Sequence, residues 1–419
     1  MSTQRRARGA KNRMRLTLAA VVALAVPGAM LACTGPPPTT APSAGTDPAT
    51  PLDAALHAEL DAALDQGFAE SGMPGVIVGL WIPGQDEWVA TRGVSDLESN
   101  LPMDRANQGK IGSITKTLVG MVALQLIGDG GAGITLDDTI DRWYPEFPHA
   151  SEITVRMLMN MSSGIGNPGQ AQLDRICADP YSSITPDEMI AIGAATPRES
   201  FAPGGGFAYS GYNTFLLGRI LERSTGTDLG ALIDERLIEP LGMTRSRFAP
   251  DAVLAEPFNR GYSGFCAELP QPTDTTDWTN HESWAAGAML STIDDLRIWG
   301  TALGEGFGLT PEMNTARVED RAAANGDASE LGYGLGVGVH VDPASGCVLD
   351  FSHSGAEPGY GSHVQYFATS GAVFALMGNG DGGTGEAFTK VLAALAPVLK
   401  TSVADASSTA CLESPTPTN

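Results

Sequence analysis

Apolar residues recur at helical spacing at Leu56, Leu60, Leu64 and Phe68, and predict a helix from Leu52 to Glu70. A near-continuous apolar run follows, Gly75 to Ile82. The turn-forming Pro83-Gly84-Gln85-Asp86 comes next, and then Glu87 to Thr91. Two such runs around a turn cluster predict a β-hairpin. From Ser113 to about 325 the pattern is mainly helical, broken by loops rich in Gly, Pro and Ser. Strands return at Tyr333 to Val341, Gly361 to Ala368 and Ala372 to Asn379, and a last helix runs from Gly385 to Lys400. Strands at both ends of a helical middle imply an α+β fold with a discontinuous architecture. One antiparallel sheet, covered by the first and last helices, takes 53–112 and 331–402, and a mostly helical lobe takes 113–330. The cleft between the lobes is the expected site.

The ends of the chain read differently. Arg5, Arg6, Arg8, Lys11, Arg13 and Arg15 precede an apolar stretch, Leu16 to Ala32, that stops at Cys33. A basic segment, an apolar segment and small residues before a cut describe an export signal over 1–32. A membrane span needs about 20 apolar residues, and this run is interrupted by Pro27 and Gly28. Residues 33–52 form a Pro- and Thr-rich tether, and 403–419 a similar tail.

Charge narrows the function. The formal charge is −23, and most acidic outside the basic leader, so nucleic acid is an unfavourable partner. Beyond Cys33, the cysteines Cys177, Cys266, Cys347 and Cys411 suit two disulfides in an exported protein, here expected as Cys177–Cys266 and Cys347–Cys411. The histidines, His57, His149, His281, His340, His353 and His363, show no metal-binding spacing, and neither metal nor other cofactor is implied.

Candidate chemistry lies at Ser113-Ile114-Thr115-Lys116. A serine hydroxyl needs a base beside it to act as a nucleophile. Positions i and i+3 share a helix face, which brings Lys116 to Ser113. A serine at a helix start also aims its own N–H at an incoming oxyanion. The bland reading is an N-cap serine followed by a surface lysine. Two further features weigh against it: Tyr209-Ser210 after the turn Pro203–Phe207, and His353-Ser354-Gly355 before a strand-rich stretch.

With these motifs the chain resembles the serine β-lactamase and penicillin-binding-protein superfamily, in the branch of class C β-lactamases, Streptomyces-type DD-carboxypeptidases and family VIII esterases. Ser113-x-x-Lys116 matches the first motif, Tyr209 heads the second, and His353-Ser354-Gly355 matches the His-x-Gly form of the third. The phrases IGSITKT (111–117), ITVRMLMNMSSGI (153–165), EPLGM (239–243), AAGAMLSTIDDL (285–296), GYGLGVGV (332–339) and HSGAEPGYGS (353–362) extend the likeness over about 53–400. Met30-Leu31-Ala32-Cys33 resembles a lipobox, with Met where Leu is usual, which implies lipidation of Cys33 and a place on the outer face of the bacterial cytoplasmic membrane.

The resemblance implies an extracytoplasmic hydrolase working through a Ser113 acyl-enzyme on a peptide, amide or ester, including a cell-wall peptide, as a monomer. Lys116 takes the serine proton or tunes its neighbours, and Tyr209 serves the leaving group or the deacylating water. His353 helps bind a substrate carboxylate or positions Tyr209. The N–H groups of Ser113 and Ala356 form the oxyanion hole, with Ser354 and Gly355 as adjoining substrate-binding positions. The alternative is a non-hydrolysing penicillin binder or sensor on the same scaffold. One departure stands out: Gly211 replaces the asparagine of the second motif, which in the family reads the acyl amide. Asn213 is near in sequence but on this register points elsewhere.

Overall fold

In a computed structural model, residues 49–323, 331–381 and 387–404 are described. The leader, Cys33, most of the tether, and the tail with Cys411 lie outside them.

Helix α1 (Ala54–Ser71) begins at Asp53, whose carboxylate accepts from the N–H groups of Ala55 and Leu56, and stops at Gly72 in the left-handed region. Strands β1 (Gly75–Trp81), β2 (Trp88–Asp96) and β3 (Leu101–Pro102) follow. The sheet is completed from the far end of the chain by β4 (Ala322–Ala323), β5 (Leu331–Tyr333), β6 (Gly338–Val341), β7 (Val348–Glu357), β8 (Tyr360–Phe367) and β9 (Ala372–Gly378). These strands form one antiparallel sheet in the order β3-β2-β1-β9-β8-β7-β6-β5-β4. The pairing of β1 with β9, from Val76–Gly378 to Trp81–Val373, joins the two ends of the chain.

Every residue of β1 and β9 is buried, because both faces of the sheet are covered. Val76, Val78 and Leu80 pack with Leu60 and Leu64 of α1 and with Val391 and Leu395 of α5 (Ala387–Leu399). Ile77, by contrast, faces the second core with the helical region. Each fully buried aliphatic side chain contributes about 1.5–3 kcal/mol.

The helical region centres on α2 (Thr115–Asp129), buried from Thr115 to Leu126. Beside it lies α3 (Gly211–Thr225). Two parts of the expected helical lobe belong to the sheet instead. Helix α4 (Ile293–Glu305) packs on β8 and β9 through its apolar face, and β4 pairs at the sheet edge. The expected strand Tyr333–Val341 is a hairpin, β5 and β6, with Gly336 in the left-handed region at its bend. His353 does not precede a strand: it lies within β7.

Cys177 and Cys266 are joined. Cys347 is also disulfide-bonded, and Cys411, its expected partner, lies outside the described residues.

Candidate active site

Ser113 sits in a 3₁₀ turn, Gly112–Ile114, that runs into α2. The turn is clamped from both sides. Thr115 Oγ1 donates to the Gly112 carbonyl at 2.7 Å, and Ser362 Oγ donates to the Ile111 carbonyl at 2.8 Å. Glycine is required on both sides of this junction. A Cβ on Gly112, whose φ is +49°, would stand 2.6 Å from the Ala356 nitrogen, and one on Gly355 would stand 2.0 Å from the Ile111 oxygen. The backbones of Gly112 and Ala356 are therefore in direct contact, next to Ser113.

Lys116 extends from α2 with only 3 % of its surface exposed. Its Nζ donates to Ser113 Oγ at 2.8 Å and to the Ala286 carbonyl at 2.8 Å, and stands 5.0 Å from the centre of the Tyr209 ring. Tyr209 immediately precedes α3 by two residues, and its carbonyl accepts from Asn167 Nδ2 at 2.9 Å. The structure thus brings Ser113, Lys116 and Tyr209 together.

His353 lies behind Tyr209, with ring centres 6.1 Å apart. Its Nδ1 is 2.6 Å from the Ser354 carbonyl, which only accepts, so Nδ1 carries the proton. Nε2 then accepts from the Tyr333 hydroxyl at 2.9 Å. Burial, and next the charge of Lys116, push the imidazole down to about 3. Both ring nitrogens are thus engaged within the protein, Nδ1 by the Ser354 carbonyl and Nε2 by the Tyr333 hydroxyl, which leaves neither for a substrate carboxylate and corrects one of the two roles implied for His353. The other remains: Tyr333, T-shaped against Tyr209 at 5.9 Å, links His353 to the Tyr209 ring.

Residues alternate faces along β7. Phe351, His353, Gly355 and Glu357 face the helical region, and Ser354 faces the other way. Ser354 Oγ bonds His363 Nδ1 at 2.9 Å on the side covered by α5. The expectation of a substrate-binding side chain at Ser354 is thereby corrected. Ala356 lines the cleft beside Ser113.

The cleft opens into a pocket of about 230 Å³. Its walls are largely apolar, from Leu173, Ile176, Met189, Phe215, Phe265 and Ala286. Gly211 lines it too, and a Cβ there would meet only Ala286 Cβ, at 3.5 Å. The space beside Gly211 is open. Asn213 does not fill it: fully buried, its side chain bonds Ser163 Oγ and the Ser210 carbonyl.

Two carboxyls also reach the pocket. Glu282 is held by Arg175 through contacts of 2.8 and 3.1 Å. Glu357 Oε2 accepts from Ser283 Oγ at 2.9 Å, and burial pushes this carboxyl up to about 7 against the opposing pull of Ser283, Lys110 and Lys116. Neither Glu357 nor Tyr333 was anticipated. Once β7 is known to be a strand, its two-residue period from His353 points to Glu357.

Comparison with known proteins agrees with this geometry. The profile of the Beta-lactamase family matches residues 60–397. Esterase EstB of Burkholderia gladioli is 29% identical over 339 residues, covering 72% of this chain and 85% of that protein. Among solved structures, a D-stereospecific amidohydrolase from Streptomyces sp. superposes with TM-score 0.70 at 27% identity, over 81% of this chain and 98% of that one. The D-amino acid amidase of Ochrobactrum anthropi SV3, complexed with L-phenylalanine amide, gives 0.69 at 25% identity, over 82% and 99%.

Proposed function

This chain belongs to the Beta-lactamase family, and from that premise we propose that it hydrolyses small carboxylic esters through an acyl-enzyme on Ser113. The 2.8 Å contact between Lys116 Nζ and Ser113 Oγ carries the reading. Ser113 Oγ attacks the acyl carbonyl, and its proton passes to the lone pair of Lys116 Nζ, which in the reacting state accepts along that contact rather than donating. The carbonyl oxygen becomes an oxyanion facing the N–H groups of Ser113 and Ala356, where one such donor is worth about 10²–10³ in rate. The alcohol departs with a proton passed through Tyr209, which Tyr333 and His353 hold in place. Water then attacks the acyl carbon by the same route and frees Ser113.

Gly211 favours an ester over a peptide or β-lactam, because no side chain at that position reads an acyl amide. The pocket, about 230 Å³ and largely apolar, suits a short acyl chain and is smaller than the roughly 300–1,000 Å³ of drug-sized sites. Similarity to EstB over most of that esterase supports the same choice. Amide hydrolysis is the second reading, favoured by the likeness to the two amide-cleaving structures. The reading extends to an exported monomer anchored by a lipid on Cys33, supported by the leader and by the Cys177–Cys266 bond, of a kind rare in the cytosol.

Rates with p-nitrophenyl butyrate, a chromogenic cephalosporin and a D-Ala-D-Ala peptide test the reading. The butyrate ester is expected to have the highest kcat/KM, falling by a factor on the order of 10³ or more in Ser113→Ala. Preferential cleavage of the peptide or cephalosporin contradicts the ester assignment. A long-lived adduct without turnover points to the non-hydrolysing sensor.

A further inference from the structure

We infer that Glu357 is an ammonium-binding carboxylate, and that the acyl group admitted to this pocket carries a protonated amine, as in an amino acid ester. The inference rests on the acyl-enzyme reading above and names the substrate class of the same site.

Glu357 reaches the pocket from the last position of β7, on the same face as His353. Its one hydrogen bond comes from Ser283, and among the described residues no cation is ion-paired with it. The nearby cations are committed elsewhere. Lys116 Nζ donates to Ser113 and to the Ala286 carbonyl, and Lys110 Nζ donates to the Trp278 carbonyl at 2.7 Å. Glu282, the neighbouring carboxylate, shows the contrast, since Arg175 satisfies it on both oxygens.

Packing does not call for a charge at Glu357. A glutamine would accept the same bond from Ser283. A buried carboxylate without a cation in direct contact is costly, and burial holds this carboxyl towards its neutral form against the more distant charges of Lys110 and Lys116. A substrate ammonium placed beside it supplies the missing partner, in a charge-assisted hydrogen bond stronger than a neutral one. Of the other groups on the wall, Glu282 has both carboxylate oxygens on Arg175, Gly211 presents no side chain, and Leu173, Ile176 and Phe265 are apolar. The acidic surface, with a chain charge of −23, draws cations towards the site.

Alanine methyl ester and methyl isobutyrate differ by an ammonium in place of a methyl group, so they isolate this contact. The ratio of their kcat/KM values is measured for the full chain and for Glu357→Gln, with both enantiomers of the alanine ester. Intrinsic reactivity cancels between the two proteins. For at least one enantiomer the ratio is expected to fall tenfold or more in Glu357→Gln, the size of a hydrogen bond to a charged group. An equal ratio in the two proteins overturns the inference. A second readout needs only the unaltered protein: isobutylamine is expected to protect Ser113 from a fluorophosphonate at one-tenth the concentration of isobutanol or less, and equal protection overturns the inference. If Ser113 is neither labelled nor active on either ester, the acyl-enzyme reading itself falls, a result distinct from turnover without amine preference.

Discussion

Burial at Glu357 sets a testable balance between stability and site chemistry. Its folded-state pKa is raised, from an ordinary 4.5 to about 7, chiefly by burial. Between those values the native state holds a proton that the unfolded chain has lost. Stability therefore falls as pH rises from about 4.5 through 7, and stays lower above. Glu357→Gln is expected to unfold near the wild-type temperature at pH 4.5 and at a higher temperature at pH 8. Equal melting temperatures at both values contradict this account. Gly211 offers a second single-residue test. An asparagine there has room and needs no positive φ, so Gly211→Asn should fold normally. It should raise amide over ester turnover by about 1 kcal/mol, roughly fivefold, as one added hydrogen bond would; comparing an anilide with its matched ester gives the value. At this scale the sequence disclosed Ser113 and Lys116, because their contact is local, three residues apart where the 3₁₀ turn runs into α2. Tyr333 and Glu357 stayed hidden. Their positions depend on which strands pair, and pairing over long sequence separations leaves little local trace.

One short element controls the pocket wall. The helix Gln170–Ala178 buries none of its residues fully, yet supplies Gln172, Leu173 and Ile176 to the pocket. It is tied down by Cys177–Cys266, by Arg175 to Glu282, and by Gln172 Nε2 donating to the Glu282 carbonyl at 2.7 Å. Phe265, beside the bonded cysteine, lines the same wall. Replacing both cysteines by serine should raise KM for p-nitrophenyl butyrate more than it lowers kcat, and should cost about 2–4 kcal/mol of stability by thermal unfolding. Unchanged KM would mean that the polar contacts alone hold the wall. Elements with strong periodicity, such as α1 and the fully apolar β1 and β9, were legible before the structure. Strand β7 was not, since His353-Ser354-Gly355 and Pro358-Gly359 look like loop. Helix α4 falls in the stretch read only as mainly helical, and its place against the sheet is a tertiary fact that spacing does not carry.

At the scale of the whole molecule, the discontinuous sheet explains how distant segments meet. Closing β1 onto β9 brings residues near 355 against the turn at 111–114. Ser113 is thereby positioned by backbone contacts from a segment about 240 residues away in sequence. The proposed lipid anchor belongs to this scale as well. Cys33→Ala should move the protein from the membrane fraction to the soluble fraction without altering ester hydrolysis by the folded domain, and an unchanged distribution would discard the anchor. The central claim is that Ser113 carries the acyl group. Intact-mass spectrometry after treatment with a fluorophosphonate, followed by peptide mapping, tests it most directly. One adduct, on the peptide containing Ser113 and absent from Ser113→Ala, is the predicted result; no adduct, or an adduct on another serine, would contradict it.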